Sequence, residues 1–497
     1  MAPGRTVWVL GDQLNRGIAS LRDADPATTR VLMVTAEAKR ASKRFHRQRL
    51  HLVAGAMSAF AAELRAEGFA VDERTAPTFA EGLAAHRRAH SPGAVSAMEP
   101  MSWDGRRMLE RLGVDLVRSD QFLCHYEDFA AWADGRGDRR LRMEDFYREQ
   151  RRRLGYLMDG DEPAGGRWNL DADNREPPPR DGRAWPRPVR SRDDDAAGDP
   201  PLPPRAFGAP PDGTWALTRR GALARLRAFV AEGLPRFGTH QDAMLDGEWH
   251  LAHSLLSPYM NLGMLHPREV ADAVEAAYRA GDVPLASAEG FMRQVIGWRE
   301  YVWGVYWREA PRLRRANGLG AERPLPPLFT GAGTAMRCVA SALDGVEEHA
   351  YAHHIQRLMV LGNLALLTGV RPPEMVDWMW GAFIDGAEWV MLPNVVGMAL
   401  HADGGRMMTK PYAAGGAYID RMSDHCGRCR FDPRRRTGDD ACPFTTLYWD
   451  FLARHEERFA RNPRISRQVR GLGRLVDLPA VRARAREVLA KLDAGEL

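Results

Sequence analysis

Two hydrophobic periods divide this chain, and the change from one to the other limits its fold more than any other feature. Short apolar runs open it. Val7-Trp8-Val9-Leu10 ends in the turn Gly11-Asp12-Gln13, Val31-Leu32-Met33-Val34 follows, and Val114-Asp115-Leu116-Val117 comes later. Helical spacing lies between them, as over residues 45–67. Strands alternating with helices predict a parallel sheet with ligands at the strands' C-terminal ends. From Thr218 onward the apolar residues recur at helical spacing, over 219–232, 267–280, 286–306, 349–368 and 479–492. The stretch between is rich in proline, glycine, arginine and aspartate, with Pro177-Pro178-Pro179 and Asp193-Asp194-Asp195, and it offers one helix, 143–157. It reads as a long connection, packed in part through Tyr156 and Trp168. The expected architecture is an α/β, Rossmann-like domain over 1–130, a linker over 131–215 and a larger all-α domain over 216–497.

A chain of 497 residues is too long for one ordinary core, and 44% apolar with 27% charged residues excludes a mostly disordered polymer. Of 70 cationic side chains only Lys39, Lys43, Lys410 and Lys491 are lysines. Arginine's planar fork suits phosphate oxygens, so a nucleic-acid partner fits. A merely solvated basic face fits the composition equally. No apolar run approaches the roughly 18 residues of a membrane span, and the first ten residues lead into a strand, not a secretory signal. A soluble cytoplasmic protein with no membrane partner is expected, and a monomer.

Five cysteines in a long chain of this kind point to metal or redox chemistry and away from a disulfide framework. Cys426-Gly-Arg-Cys429 can place two thiolates on one centre, with Cys442 thirteen residues beyond Cys429 and Cys338 on a distant helix. Four thiolates suit zinc or an iron–sulfur cluster equally by spacing. Cys124 reads as an ordinary buried thiol.

Several blocks taken together are more specific. They are Leu10-Gly11-Asp12-Gln13-Leu14, Met143-Glu144-Asp145-Phe146-Tyr147-Arg148, Gly297-Trp298-Arg299-Glu300-Tyr301 and His353-His354-Ile355-Gln356-Arg357-Leu358-Met359, followed by the cysteine pattern. In this order they resemble the iron–sulfur bacterial cryptochromes and photolyases, the photolyase-related proteins, along essentially the whole chain. The resemblance implies an antenna-binding α/β domain joined to a helical FAD domain, with Cys338, Cys426, Cys429 and Cys442 on a 4Fe–4S cluster. The cluster region is also similar to that of primase large subunits, which keeps a light-independent nucleic-acid-binding protein as one alternative. A blue-light photoreceptor without repair is the other.

The same resemblance assigns roles to residues. His253-Ser254-Leu255-Leu256-Ser257 matches the phosphate-binding stretch for FAD, with His253 where most photolyases have threonine and His240 where they have tyrosine. Read alone, the segment is a plain helix cap. Arg357 and Asp385 stand at the interval of the pair beside the flavin ring, and Arg299, Met391 and Asn394 fall at further flavin positions; a structural ion pair is the plainer reading of the first two. His353 and His354 resemble the pair of (6-4) photolyases, with His354 as proton donor because imidazole titrates near neutral pH. Trp298 and Tyr412 are expected to line a pocket for UV-damaged DNA, and Trp378 to carry electrons; Phe329 replaces a second tryptophan common in this branch. Asp12 and Glu37, each just after a strand, match positions that contact a 6,7-dimethyl-8-ribityllumazine antenna. Arg434, Arg435 and Arg436, and then Arg461, Arg464, Arg467 and Arg470, are candidate backbone contacts. Room is left for a Mg2+ ion at the linker.

Overall fold

The computed structural model describes residues 4–191 and 201–497, so the run Asp193-Asp194-Asp195 lies outside the described residues. Five strands form the expected parallel sheet: β1 (Arg5–Trp8), β2 (Thr29–Ala36), β3 (Ala70–Ala76), β4 (Ala94–Met98) and β5 (Asp115–Val117). Their order is β3-β2-β1-β4-β5, with Val7 beside Val31 and Ser96. The order reverses at β1, so the crevice beyond its C-terminal end is where such a sheet takes a ligand. The helix expected over 45–67 runs Arg47–Ala66, started by His46, whose ring accepts the Gln48 N–H.

Each face of the sheet is covered. Trp8, Leu32, Val34, Val95 and Ala97 pack on Leu83 and Leu109 of the helices Phe79–His90 and Trp103–Arg111. On the other face Val7, Val31 and Met33 join a buried cluster that continues into the helical half. The linker packs too. Its helix, Met143–Leu154, stops at the left-handed Gly155, three residues short of the expected end. Trp168 lies against the Arg152 guanidinium at 4.6 Å, while Trp185 and Trp215 are buried.

The helix expected over 349–368 is divided instead. Arg337–His349 ends at Ala350, held at φ +53°, and the chain runs extended before turning helical again at His354. A left-handed alanine is strained, so this break is imposed by packing and not by local preference. His353 and His354 therefore stand at a helix start, not along a helix. The helix from Leu285 to Leu313 is interrupted by a π-helical segment, Arg293–Arg299; Gln356–Gly362 and Pro393–Ala399 are also π-helical, as is Phe229–Gly233, which holds none of the candidate residues. Widened turns of this kind are commonly found at functional sites. Here they hold Arg299, Arg357 and Asn394.

Candidate active site

Arg357 and Asp385, distant in sequence, meet in the interior of the helical half. Arg357 Nη1 lies 2.9 Å from Asp385 Oδ1, and the two side chains retain 18% and 9% of their exposure. An ion pair so withdrawn from water is costly to break from one side. Both partners are fixed independently. Arg357 Nε donates to the Ala352 carbonyl at 2.5 Å, and its guanidinium lies 4.0 Å from the Phe383 ring. Ser257 Oγ donates to Asp385 Oδ2 at 2.6 Å, and Asn261 Nδ2 to the Asp385 carbonyl at 2.9 Å. Arg49, from the α/β half, donates to the carbonyls of Phe383 and Ile384 at 3.2 Å each. Burial pulls its pKa down to about 10, with Asp385 opposing that shift.

The stretch before Ser257 is bent by a second strained residue. Leu255 takes φ +55° and Leu256 returns to the right-handed region. Left- and right-handed residues in succession turn neighbouring N–H groups to one side, a geometry that receives anions. Ser254 Oγ accepts the Leu256 N–H at 3.3 Å. His253 donates from Nδ1 to the His250 carbonyl at 2.9 Å, and its ring stacks on His353 at 4.6 Å. His353 is fully buried with neither ring nitrogen hydrogen-bonded. Burial first, then the charges of His253, His354 and Arg357, press it well below the ordinary histidine range. His354 is exposed, yet desolvation and the Arg357 charge bring its pKa down to about 4. That direction runs against the near-neutral titration expected of it.

Cys338, Cys426, Cys429 and Cys442 face one small void walled by Met336, Ile419, Phe431 and Phe444, and none forms a disulfide. Burial and mutual repulsion raise Cys338 well above the thiol range and Cys426 to about 12. Gly416 closes the wall: a Cβ there would lie 2.9 Å from Cys442 Sγ. Four thiols lining one apolar void could serve as ligands of a metal–sulfur centre.

Residues 7–199 match the model of the deoxyribodipyrimidine photo-lyase-related protein family. A (6-4) photolyase of Agrobacterium fabrum is 41% identical over 98% of this chain and 99% of its own length. The chain belongs to the photolyase–cryptochrome family. Solved structures agree on the fold. A class III photolyase from Agrobacterium tumefaciens superposes with a TM-score of 0.54 at 14% identity, covering 99% of this chain and 98% of its own. The Synechocystis cryptochrome gives 0.52 at 13%, covering 80% and 83%.

Membership of the photolyase–cryptochrome family implies FAD, and the residues present fit it. The buried Arg357–Asp385 pair and the N–H groups around Leu255 offer the ring and phosphate partners that a flavin nucleotide needs. Met391 is buried, while Asn394 turns its amide onto its own helix, donating to the Val390 carbonyl at 2.8 Å. His240 is half-buried, edge-on to Trp185, with Nδ1 buried and unpartnered. Arg299 stands apart from the pair, in the seam between the two halves. It lies 3.9 Å from the Phe122 ring and 5.3 Å from the Trp389 ring, and it is bonded to Glu300. Trp378 donates from Nε1 to the Phe329 carbonyl at 2.6 Å, and its ring bridges Phe329 and Phe383 at 4.9 and 5.7 Å.

In this photolyase-family chain the crevice beyond β1 is a cavity of ≈ 620 Å³ shared by both halves, with Asp12, Lys39, Arg49, Trp380 and Asp385 on its walls. Burial lifts Asp12 to about 6 against the pull of Lys39. Glu37 does not line it; it is exposed on the short helix that follows β2. Arg49 and Lys39 escaped sequence reasoning because helical spacing marks the buried face of a helix and not its end at an interface; Trp380, read as an alternative electron path beside Trp378, lies on the cavity wall. Asn261 was missed as well; its spacing of four residues from Ser257, one helix turn, is the signal that could have found it. On the surface, Arg435 and Arg436 are paired with Asp440 and Asp477, whereas Arg461, Arg464, Arg467 and Arg470 are exposed without an acidic partner among the described residues. Asn462, among them, donates to the Thr409 carbonyl at 2.8 Å, which ties this basic face to the loop bearing Tyr412. Tyr412 is half-buried within the field of Asp171 and Asp242, and burial raises it to about 12. Trp298 lies edge-on to Tyr301, half-buried, on the π-helical segment Arg293–Arg299.

Proposed function

We propose that this chain repairs (6-4) pyrimidine–pyrimidone photoproducts in UV-damaged DNA under blue light. The observation that carries the reading is His354, an exposed imidazole next to the buried His353 and within the field of Arg357. The full-length relative named (6-4) photolyase supports it. Bound and reduced, FAD supplies the photoexcited electron that the lesion accepts. Arg357 sets a fixed positive charge that favours an anionic ring, and Asp385 with Ser257 holds that charge in place. As DNA phosphates come near, His354 gains proton affinity and takes up a proton from solvent. It then gives a proton to the hydroxyl or amino group being returned between the two bases. Tyr412 and Trp298 flank the flipped nucleotides, Trp378 feeds electrons inward, and Arg461, Arg464, Arg467 and Arg470 grip the backbone.

The reading assigns residues 1–130 to an antenna domain, 131–215 to the crossover and 216–497 to the flavin domain. The four cysteines hold a 4Fe–4S cluster, and the cavity by Asp12 takes 6,7-dimethyl-8-ribityllumazine. The same reading leaves a Mg2+ ion at the linker, without assigned ligands. The protein works as a monomer in the cytoplasm. The test is photoreactivation of an oligonucleotide carrying one (6-4) photoproduct, in blue light and in darkness, with H354A alongside. Light-dependent restoration by the parent and loss of at least about a hundredfold in H354A are expected. Full repair by H354A removes its role. Lesion binding without repair by the parent makes the chain a photoreceptor, and DNA binding by a flavin-free chain makes it a light-independent binding protein.

A further inference from the structure

On the outer side of the α/β half, β3 and the helix Phe79–His90 bring Asp72, His86 and His90 together, with one ligand atom of each within 4.8 Å of the other two. The two histidines are four residues apart, one above the other on the last turn of the helix. Asp72 belongs to the edge strand of the sheet. His86 Nδ1 is 2.6 Å and His90 Nε2 3.2 Å from Asp72 Oδ2. Behind them, His86 Nε2 is 3.0 Å from Thr6 Oγ1 of β1. We propose that this triad binds a divalent transition-metal ion of the zinc class, through His86 Nδ1, His90 Nε2 and the Asp72 carboxylate, with water completing the coordination.

Two imidazoles and a carboxylate are a donor set that zinc accepts, with metal–ligand bonds of about 2.0–2.2 Å. Tetrahedral bonds of that length separate ligand atoms by about 3.3 Å, so the present 2.6 and 3.2 Å need only a small spreading. The protons also balance. In the free site His86 Nδ1–H donates to Asp72, and the Thr6 hydroxyl donates to Nε2. An ion at Nδ1 requires the other tautomer, in which Nε2–H donates and Thr6 Oγ1 accepts. A hydroxyl serves in either direction, so it stabilises the ring in both states. His90, 28% exposed, leaves a way in. Arg74 opposes the ion, since its Nε also bonds Asp72 Oδ2 at 2.7 Å. The bound ion ties the end of the helix to the sheet edge.

The experiment is calorimetric titration of Zn2+ into the flavin- and cluster-loaded protein at pH 7.5, with parent, H90A and R74Q. All three carry the same cysteine site, so differences between them report on the triad. The parent is expected to take up one Zn2+ more than H90A, with a melting temperature raised by the metal only where His90 is present. R74Q, freed of the competing cation, should bind about fivefold tighter or better. Equal zinc stoichiometry and affinity in parent and H90A overturns the proposal, as does the absence of uptake by the parent. His90 is partly exposed, so H90A should fold; an unchanged flavin spectrum and metal-free melting temperature check that.

Discussion

Replacing Asp385 with asparagine isolates the charge at the centre of the site. The amide keeps the carboxylate's shape, so Ser257 Oγ and the Asp385 carbonyl lose little, but the Arg357 guanidinium is left in the interior without its counter-ion. Breaking a buried pair from one side costs about 3–5 kcal/mol. Arg357 keeps 18% of its exposure and its bond to Ala352, which favours the lower end, about 3 kcal/mol. A chain of 497 residues has an unfolding entropy of about 1 kcal/mol/K, so D385N should melt about 3 °C below the parent. S257A is the control: it removes one donor and preserves the pair, at a cost of about 1 kcal/mol and about 1 °C. Differential scanning calorimetry of the flavin-free chains at pH 7 separates the two. If D385N melts with the parent, or if S257A loses as much as D385N, the ion pair does not organise this region.

Other consequences follow from the same structure. Asp12, held at about 6 in the fold against an ordinary 3.8, binds its proton more tightly folded than unfolded; its contribution is present below about pH 4 and is lost as pH rises through 6. At most about 3 kcal/mol is involved, so D12N should be more stable than the parent at pH 7 and indistinguishable at pH 4 in urea melts. C338A removes one of four convergent thiols, and the iron content of purified protein is expected to fall to about a tenth of the parent's or less by colorimetric assay. A double R464A/R467A change should weaken DNA binding without altering lesion preference. It should also flatten the dependence of log affinity on log salt by about 0.9 for each lost phosphate contact, measured by fluorescence anisotropy.

The parallel sheet was legible because Val7-Trp8-Val9 and Val31-Leu32-Met33-Val34 are buried on both faces and so carry no alternation to misread. Helices with strong stop signals were legible as well: Pro267–Ala280 ends at the left-handed Gly281, as a glycine there predicts. The break at Ala350 was not, because alanine is the best helix former and nothing local says that it must turn left-handed. Packing around Ile384, whose N–H donates to the Ala350 carbonyl, fixes that turn. The same limit applies to the site. The interval between Arg357 and Asp385 could be read through family resemblance, but Arg49 is one arginine among many until the fold sets it against Phe383 and Ile384.

That last contact joins the two halves at their most consequential point. Arg49 starts from a helix of the α/β half, lines the shared cavity, and ends on the carbonyls immediately before Asp385. Asp385 in turn borders the cavity and holds Arg357. Nothing in this path is a long flexible loop: Phe383 is fully buried and lies beneath the Arg357 guanidinium, and Ile384 is pinned by Ala350. The strained Ala350 belongs to the same path, because the turn that holds Ile384 also ends one helix and sets His353 and His354 at the start of the next. One segment, Phe383–Ile384–Asp385, thus fixes the relation between the cavity, the ion pair and the histidines, and the strain at Ala350 is part of what keeps them in place.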